Sequence, residues 1–289
     1  ARQTKTITRE ASKDLEEKKD EGAGATAREV FREKILDGHV ALVTGGGTGI
    51  TGGVARALAE SGARVALVSR KLENLEPAAA RISEAGGEAL AFAADVRDFA
   101  EVERAVAATV ERFGRLTTVV NGAAGNFLCP ASELSPNGFG TVVDIDLKGT
   151  FNVCRAAFSE LKKSRGHVLN ISATLHYGGT PYQLHVSAAK AGVDALTRNL
   201  AVEWGAHGIR ANAIAPGPIE DTEGMRRLVP EPVKAKLRQR IPLGRFGRVR
   251  DIEQLAVFLC SDAALYINGA IIAVDGGQWL NSNRLVGGD

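Results

Sequence analysis

The sequence lacks the features that define several large classes of protein. It has only three cysteines, Cys129, Cys154 and Cys260, which lie too far apart for a disulfide framework or a zinc site, so we expect a reducing compartment. It has no run of about 18 apolar residues, which argues against a membrane span. Its formal net charge is only +2, which gives no reason to expect nucleic acid or an anionic membrane as a partner.

The first part of the chain differs from the remainder in composition. Residues 1–37 are rich in both charge signs and poor in apolar residues, and they contain no apolar signal-peptide core. We interpret them as a charged N-terminal extension, partly helical, with EGAGAT as a break. The alternative is an arm that docks onto a neighbouring subunit. Residues 38–289 contain neither a repeat nor a linker, and we predict that they form one domain.

Short apolar runs alternate with helix-length segments throughout this domain. Because these runs are apolar without interruption, they predict a parallel sheet that is covered on both faces. Strand–helix alternation of this kind is typical of a Rossmann-type, doubly wound α/β fold, which binds its ligand at the carboxyl ends of the strands. The runs are HVALVTG, RVALVSR, EALAFAADV, LTTVVNGA, GHVLNIS, IRANAIAPG and GAIIAVDGG.

A glycine-rich segment follows the first predicted strand directly and opens a helix. The segment is VTGGGTGITGG, residues 43–53, and its glycines let backbone N–H groups approach a pyrophosphate at the helix N-terminus. The second strand ends with Ser69, Arg70 and Lys71, where a site selective for NAD usually carries an acidic residue. Cations and a hydroxyl suit a 2′-phosphate, so we expect NADP(H). The candidate cofactor residues of the glycine segment are Gly45, Gly46, Gly47, Thr48, Gly49 and Ile50.

Several motifs occur together in a characteristic order. They are TGGGTGI, ADV (94–96), NGAAG (121–125), SAAKAG (187–192) and APGPI (215–219). From about residue 38 to 280 the chain therefore resembles the short-chain dehydrogenase/reductase superfamily. The third glycine position of the nucleotide motif holds Thr51, which puts close helix packing there in question, and Gly52 and Gly53 are the candidates to compensate.

Longer segments carry a narrower resemblance. NGAAGNFLCPASELSPNGFGTVVDIDLKGTFNV, SATLHYGGTPYQLHVSAAKAGVDALTRNLAVEWG and APGPIEDTEGMRRL are similar to the 2,4-dienoyl-CoA reductases, most of all to the peroxisomal type. That group uses NADPH to reduce a 2,4-dienoyl-CoA thioester to a 3-enoyl-CoA in the β-oxidation of unsaturated fatty acids. The resemblance implies this activity, and an acyl-CoA thioester as the substrate.

The superfamily's usual catalytic tetrad of Asn, Ser, Tyr and Lys is largely absent. The corresponding positions hold Asp146, Ala173, Val186 and Lys190. Carbonyl reduction would suffer, because an acid must protonate the oxygen next to the carbon that accepts the hydride. In dienoyl thioester reduction the hydride goes to Cδ, the charge moves to the thioester oxygen, and the proton is added at Cα. That reaction needs donors around the thioester oxygen and an acid or ordered water near Cα, but no phenol beside Cδ.

The remaining polar residues then take roles that the resemblance implies. We expect Lys190 to hold the nicotinamide ribose and Asp146 to position a proton-donating water with it, since a nearby lysine favours an ionised carboxylate. Asn126 is expected to donate to the thioester oxygen, and Phe127 to pack against the acyl chain. For Asp146, Asn126 and Phe127 the alternative is a structural role. His176, Tyr177, Tyr182 and His185 are further candidate acids, although such residues are more often loop or interface residues.

The resemblance also assigns the outer parts of the site. Asp95 and Val96 are expected at the adenine, and Ala123 in the cofactor site; the nicotinamide is expected next to Pro216, Gly217, Ile219 and Thr222. Cations and polar groups should line the path of the CoA phosphates. The candidates for that path are Arg97, Ser135, Asn137 and Arg227.

Other readings of the sequence stay open. The chain could be another NADPH-dependent ketone or enone reductase of this fold, or a non-catalytic nucleotide-binding protein. The small residues of AGVDALTRNLAVEW favour a homotetramer or homodimer, with packing inside one chain as the alternative. The final residues RLVGGD do not form an SKL-type address, so we expect a cytoplasmic location, or a peroxisomal one if the C-terminus was trimmed.

Overall fold

One seven-stranded sheet forms the centre of the computed structural model, which describes residue 31 and residues 34–283. The strand order is β3-β2-β1-β4-β5-β6-β7, and every neighbouring pair is parallel. All seven predicted strands are present, and the predicted fold class is confirmed. The strands are β1 Val40–Thr44, β2 Arg64–Ser69, β3 Ala89–Ala93, β4 Thr118–Asn121, β5 His167–Ile171, β6 Arg210–Pro216 and β7 Ile271–Val274.

Helices connect successive strands and cover both faces of the sheet. This arrangement is the one that parallel pairing requires, because a parallel connection must cross over the sheet. The helices are α1 Gly49–Glu60, α2 Glu76–Glu84, α3 Phe99–Phe113, α4 Pro136–Val143, α5 Gly149–Ser164, α6 Leu184–Gly205, α7 Glu223–Leu228, α8 Glu231–Gln239 and α9 Val249–Cys260.

The side chains of the central strands alternate between two separate apolar cores. On β1, Val43 packs in the core that α1, α2 and α9 cover, whereas Leu42 packs in the core that α3, α5 and α6 cover. Strands β1, β4 and β5 are buried along their whole length. Burial on both faces explains why their sequences read as continuous apolar runs instead of alternating ones.

A π-helical segment, Asp144–Lys148, joins α4 to α5 in one continuous helical stretch. Such segments insert an extra residue into a helix, and they often lie at functional sites. Here the segment places Asp146 inside the protein, with a side chain that is 0% exposed. Among the residues described, no helix is long and apolar enough to cross a membrane.

The beginning of the described chain packs onto the domain. Residues 34–38 form a turn, Leu36 is buried, and its backbone N–H donates to the Ser61 carbonyl at 2.9 Å. Most of the predicted extension, residues 1–30, 32 and 33, lies outside the described residues. The boundary at residue 37 therefore stays a prediction.

Candidate active site

The candidate residues gather at the carboxyl edge of the sheet, in the loops that follow the strands. The glycine segment follows β1, Ser69 to Lys71 follow β2, and Asn126 lies in the loop after β4. Lys190 reaches the same edge from α6, because its ammonium donates to the carbonyl of Ile171 at the end of β5, at 2.9 Å. This is the position at which doubly wound sheets bind their ligands.

The glycine segment forms a tight turn into α1. Gly45 has a φ of 69°, and a side chain on Gly47 would place its Cβ only 2.2 Å from the Asn74 carbonyl oxygen. The first turn of α1 contains no acidic residue, and Thr48 makes no side-chain cap. The N–H groups at the start of α1 are thus available to an anion, and the segment fits the diphosphate of a dinucleotide.

Thr51 is accommodated by a glycine on the neighbouring loop. The Thr51 side chain is buried, and its hydroxyl donates to the Gly45 carbonyl at 2.7 Å. A Cβ on Gly122 would lie 1.9 Å from Thr51 Cγ2, so only glycine fits opposite the threonine methyl group. Close packing of α1 against α9 instead uses Gly53, whose Cβ would lie 2.2 Å from Val249 Cγ1. The departure from the glycine motif is therefore balanced at Gly122 and Gly53.

The end of β2 presents cations and no acidic residue. The Ser69 hydroxyl donates to the Lys71 carbonyl at 3.2 Å, and the Lys71 ammonium pairs with Glu73 at 3.0 Å. Arg70 is exposed, and it forms no ion pair within the described part of the chain. A phosphate can therefore bind the Arg70 guanidinium without breaking an existing ion pair.

Arg97 lies beside Asp95, at the end of β3. Its side chain donates to both carboxylate oxygens, from Nε at 3.0 and 3.1 Å. These hydrogen bonds are the main reason that the pKa of Asp95 lies below its ordinary value. The neighbouring Val96 is buried, and its carbonyl accepts from Asn152 at 2.8 Å. Arg97, a candidate for the CoA path, thus binds Asp95, which is expected to contact the adenine.

Asp146 and Lys190 form a buried ion pair at the centre of the site. Lys190 Nζ lies 3.2 Å from Asp146 Oδ2, and the two side chains are 8% and 0% exposed. Asp146 Oδ1 accepts from the Gly125 backbone N–H at 2.7 Å, which ties the π-helical segment to the loop after β4. The Lys190 hydrogen bond goes to Ile171, so Asp146 Oδ2 has no hydrogen-bond partner in the described structure. A buried carboxylate oxygen with unused acceptor capacity is suited to hold a water.

The positions that carry hydroxyl acids in relatives of this fold are apolar here. Val186 occupies the usual tyrosine position, and Leu175 the tyrosine position of the mitochondrial type. Both belong to one apolar cluster, together with Val142 and Ala189. The cluster lies beside Asp146 and Lys190 and offers no proton donor.

Asn126 and Phe127 lie in the loop after β4, and Phe127 reaches the same apolar cluster. Asn126 Oδ1 is buried without a hydrogen-bond partner in the part of the chain described. Phe127 packs against the apolar cluster and stacks on the His185 ring, with centroids 4.3 Å apart. Phe127 thus packs against the cluster that adjoins Asp146 and Lys190, and the roles expected of Asn126 and Phe127 stay predictions.

A second buried polar network was missed at the sequence level. Asp194, one turn after Lys190 on α6, accepts from the Ser172 hydroxyl and lies 2.9 Å from His176 Nε2. Tyr177 stacks edge-on against His176 and against Trp279. Because burial and then Asp194 raise the pKa of Tyr177, its hydroxyl is a weaker acid than an exposed phenol. The spacing of Lys190 and Asp194, four residues apart on one predicted helix, is the sequence signal by which Asp194 could have been found.

The loop after β6 borders the site from the other side. Gly217 contacts Asp275 so closely that a Cβ would lie 2.5 Å from the Asp275 Cβ, and Ile219 is buried. The Thr222 hydroxyl donates to the Ile219 carbonyl at 2.8 Å and accepts from Met225 at the start of α7. Ala123 follows β4 and Pro216 ends β6, the two strands that flank β5 in the sheet. The nicotinamide contacts expected of these residues stay a prediction.

The remaining substrate candidates lie farther out. Ser135 caps the N-terminus of α4 by accepting from the Gly138 N–H at 3.0 Å, and Asn137 is exposed in the first turn of that helix. Arg227 is exposed on α7. Within the residues described, no group of three or more His, Cys, Asp or Glu side chains could hold a metal ion.

Comparison with known proteins agrees with this geometry. A family profile described as enoyl-(acyl carrier protein) reductase matches residues 45–278. A peroxisomal 2,4-dienoyl-CoA reductase of Saccharomyces cerevisiae is 49% identical over 253 residues, which cover 86% of this chain and 87% of that protein. The Arabidopsis thaliana protein of the same name is 47% identical over 264 residues, covering 88% of this chain and 89% of the relative.

Solved structures show the same fold. A short-chain dehydrogenase from Bacillus anthracis has a TM-score of 0.77 and 41% sequence identity, and the match covers 86% of this chain and 99% of that chain. The citronellol catabolism dehydrogenase of Pseudomonas aeruginosa also has a TM-score of 0.77, at 37% identity, with 86% and 98% covered.

The fold and the nucleotide site define an oxidoreductase that uses a nicotinamide cofactor. Within that class, the chain belongs to the short-chain dehydrogenase/reductase family, in the group that contains the 2,4-dienoyl-CoA reductases.

Proposed function

We propose that this protein reduces 2,4-dienoyl-CoA thioesters to 3-enoyl-CoA with NADPH, in the β-oxidation of unsaturated fatty acids. The observation that carries the proposal is the buried Asp146–Lys190 pair beside an apolar cluster that replaces both tyrosine positions. The names of the plant and yeast relatives support the substrate class.

The preference for NADP(H) rests on the end of β2. The residues there are Ser69, Arg70 and Lys71, and no acidic side chain is available to bind a ribose 2′-hydroxyl. Arg70 has a guanidinium free of ion pairs within the described residues, and guanidinium groups bind phosphate in bidentate geometry. When bound, the cofactor supplies a hydride to the substrate.

The chain's own residues then have to manage charge and a proton. Addition of hydride at Cδ moves negative charge to the thioester oxygen, where the Asn126 amide can donate a hydrogen bond. Asp146, which pairs with Lys190 Nζ at 3.2 Å, is assigned to position the proton-donating water and not to donate directly. Its Oδ2, which makes no hydrogen bond although Lys190 Nζ lies 3.2 Å away, can hold a water that delivers a proton to Cα, and the adjacent ammonium stabilises the hydroxide that remains.

The position of the new proton decides the product. Protonation at Cα leaves the double bond at C3, whereas protonation at Cγ leaves it at C2. The names of the plant and yeast relatives specify a (3E)-enoyl product, and the name of a Bacillus subtilis relative, 44% identical, specifies a (2E)-enoyl product. The higher identity to the first two supports the 3-enoyl product here.

Coenzyme A, assembly and location are further parts of the proposal. Of the two arginines expected on the CoA path, Arg97 already binds Asp95. Arg227 is exposed on α7, and we assign the CoA phosphates to it. Exposed apolar side chains support a homotetramer or homodimer, among them Phe151 on α5 and Val202 on α6. The peroxisomal names of the relatives support the peroxisomal alternative, and a cytoplasmic location stays a prediction.

The proposal is tested by following the absorbance of NADPH with the purified protein. We expect rapid oxidation with a 2,4-dienoyl-CoA, slower oxidation when NADH replaces NADPH, and little with a 3-oxoacyl-CoA. Nuclear magnetic resonance of the product should place its double bond at C3. A preference for the 3-oxoacyl thioester would replace the proposal with a ketone reductase, and NADPH binding without turnover of either would indicate a non-catalytic protein.

Asp146→Ala is expected to lower kcat about 100-fold or more with unchanged NADPH affinity, because the proton-donating water loses its acceptor. Asp144→Ala is the matched control, since it removes the same charge from the same π-helical segment at a half-buried position. Equal turnover of the two variants would remove Asp146 from the mechanism.

A further inference from the structure

His185 is a buried polar residue of the site to which the mechanism above gives no role. It lies in the first turn of α6, five residues before Lys190, and it is 0% exposed. Neither ring nitrogen has a hydrogen-bond partner among the described residues. Most buried polar side-chain atoms in proteins are paired, so two unpaired nitrogens on one ring require an explanation.

His185 lies beside the apolar cluster, where the acyl chain is expected to pack. Its ring stacks on Phe127, with an interplanar angle of 31°, and Phe127 packs against the cluster that contains Val142, Val186 and Ala189. Asn126, which precedes Phe127, carries another buried atom without a partner, and the Asp146 carboxylate acts on the imidazole electrostatically. Buried polar atoms that make no hydrogen bond, on Asn126, Asp146 and His185, thus lie beside this apolar cluster.

Burial favours the neutral form of this imidazole. Burial lowers the pKa of His185 below its ordinary value, and the opposing effects of the Phe127 backbone and of Asp146 are smaller. A neutral imidazole carries one N–H donor and one acceptor nitrogen. The Phe127 backbone lies near enough to act on the ring but not in hydrogen-bond geometry, so the N–H is available to a bound molecule.

We propose that His185 is a second hydrogen-bond donor to the thioester oxygen of the substrate, acting together with Asn126. The inference rests on the proposed function, because that oxygen receives negative charge when hydride adds at Cδ. His185 keeps its proton throughout; it stabilises the oxygen, while the proton added at Cα comes from the water at Asp146. The stacking contact with Phe127 fixes the ring without using either nitrogen.

His185→Phe tests the proposal, since phenylalanine keeps an aromatic ring on Phe127 and removes both nitrogens. We expect kcat for a 2,4-dienoyl-CoA to fall about 100-fold, which is the usual cost of losing one such donor. NADPH affinity should not change. The melting temperature without substrate should stay level or rise, because two unpaired buried nitrogens are removed.

A spectroscopic readout separates this role from a structural one. Dienoyl-CoA bound together with NADP⁺ cannot react, and donors at its thioester oxygen shift its absorbance to longer wavelength. We expect the wild-type complex to show this red shift and His185→Phe to lose a large part of it. His185→Gln, which keeps an N–H, should retain more of both the shift and kcat than His185→Met, which has none. If the phenylalanine variant does not fold, the comparison of the glutamine and methionine variants decides whether His185 donates to the thioester oxygen.

Unchanged turnover in His185→Phe, or lost turnover with a full red shift, would overturn the role of His185. Equal behaviour of the glutamine and methionine variants would do the same. Each of these results leaves the proposed function intact, because that function fails only if the wild-type protein does not reduce dienoyl-CoA.

Discussion

Thr51 shows how one residue outside a family pattern is balanced by another that is distant in sequence. The threonine methyl group occupies the space that a side chain on Gly122 would need, and the threonine hydroxyl binds the Gly45 carbonyl. The nucleotide loop therefore keeps its tight geometry without the third glycine. Of the two glycines predicted to compensate, Gly53 does allow close helix packing, whereas Gly122 could not be predicted, because nothing in the sequence indicates that the loop after β4 contacts Thr51.

We expect Gly122→Ala to lower the free energy of unfolding by about 1–3 kcal/mol, the usual cost of overpacking, since its Cβ would lie 1.9 Å from Thr51 Cγ2. Thr51→Ser should restore most of this loss in the double variant, because serine lacks the methyl group and keeps the hydroxyl. Urea unfolding of the four proteins in this cycle measures the coupling. Strictly additive effects would show that the two residues do not compete for the same space.

The site residues divide into those that sequence could predict and those that it could not. Asp146 and Lys190 were predicted to act together, and the structure confirms their proximity at 3.2 Å. Their roles in the reaction stay predictions. The partner of Asp146 on the opposite side, the Gly125 backbone N–H, could not be predicted, because a backbone donor leaves no mark on residue type.

At the scale of elements, the strands were more predictable than the helices that carry the site. Each strand is a short apolar run because it is buried by helices on both faces, so composition alone reveals it. The π-helical segment Asp144–Lys148 was not predicted, since one inserted residue barely changes the helical pattern of DIDLK. The segment determines where Asp146 points, so the chemistry depends on the less predictable element.

Helix α6 is joined to the loop after β5 by Asp194, and this contact gives a prediction for the element. Asp194→Ala should lower the free energy of unfolding by about 3 kcal/mol, because the Ser172 hydroxyl and the His176 ring lose their buried acceptor. Asp194→Asn should cost less, since its amide oxygen can still accept from Ser172. Denaturant unfolding measures both variants.

Glu203→Ala serves as the control for that series, because Glu203 is an exposed acid on the same helix. We expect a change within about 0.5 kcal/mol for this variant. If Asp194→Ala were no more destabilising than the control, the network around Asp194 would contribute nothing to the attachment of α6.

The molecule as a whole separates chemistry from stability along the direction of its strands. The carboxyl edge holds the glycine segment, Asp146 and Lys190, whereas the amino edge carries buried polar contacts between the strand ends and their neighbours. There the buried ring of His167, at the start of β5, lies 3.2 Å from Asn212 Nδ2 through its Nε2, and the guanidinium of Arg210 binds the carbonyls of Leu259 and Ile267. A histidine in this position should govern the response of stability to pH more than the active site does.

Burial, then Arg210 and His39, hold the pKa of His167 well below the ordinary value of 6.5. The native protein therefore keeps this ring neutral at a pH at which the unfolded chain takes up a proton. The unfolded state binds more protons below pH 6.5, so stability is full above that value and falls as the pH decreases. One such proton contributes a slope of at most about 1.4 kcal/mol per pH unit.

We expect the free energy of unfolding of the wild type to decrease between about pH 7 and pH 5, and His167→Gln to reduce the slope, because glutamine accepts from Asn212 but does not titrate. Burial also lowers the pKa values of His39 and His185, so part of the slope should persist in the variant. Urea unfolding at a series of pH values measures both slopes, and identical slopes for the two proteins would show that His167 is not the group that responds.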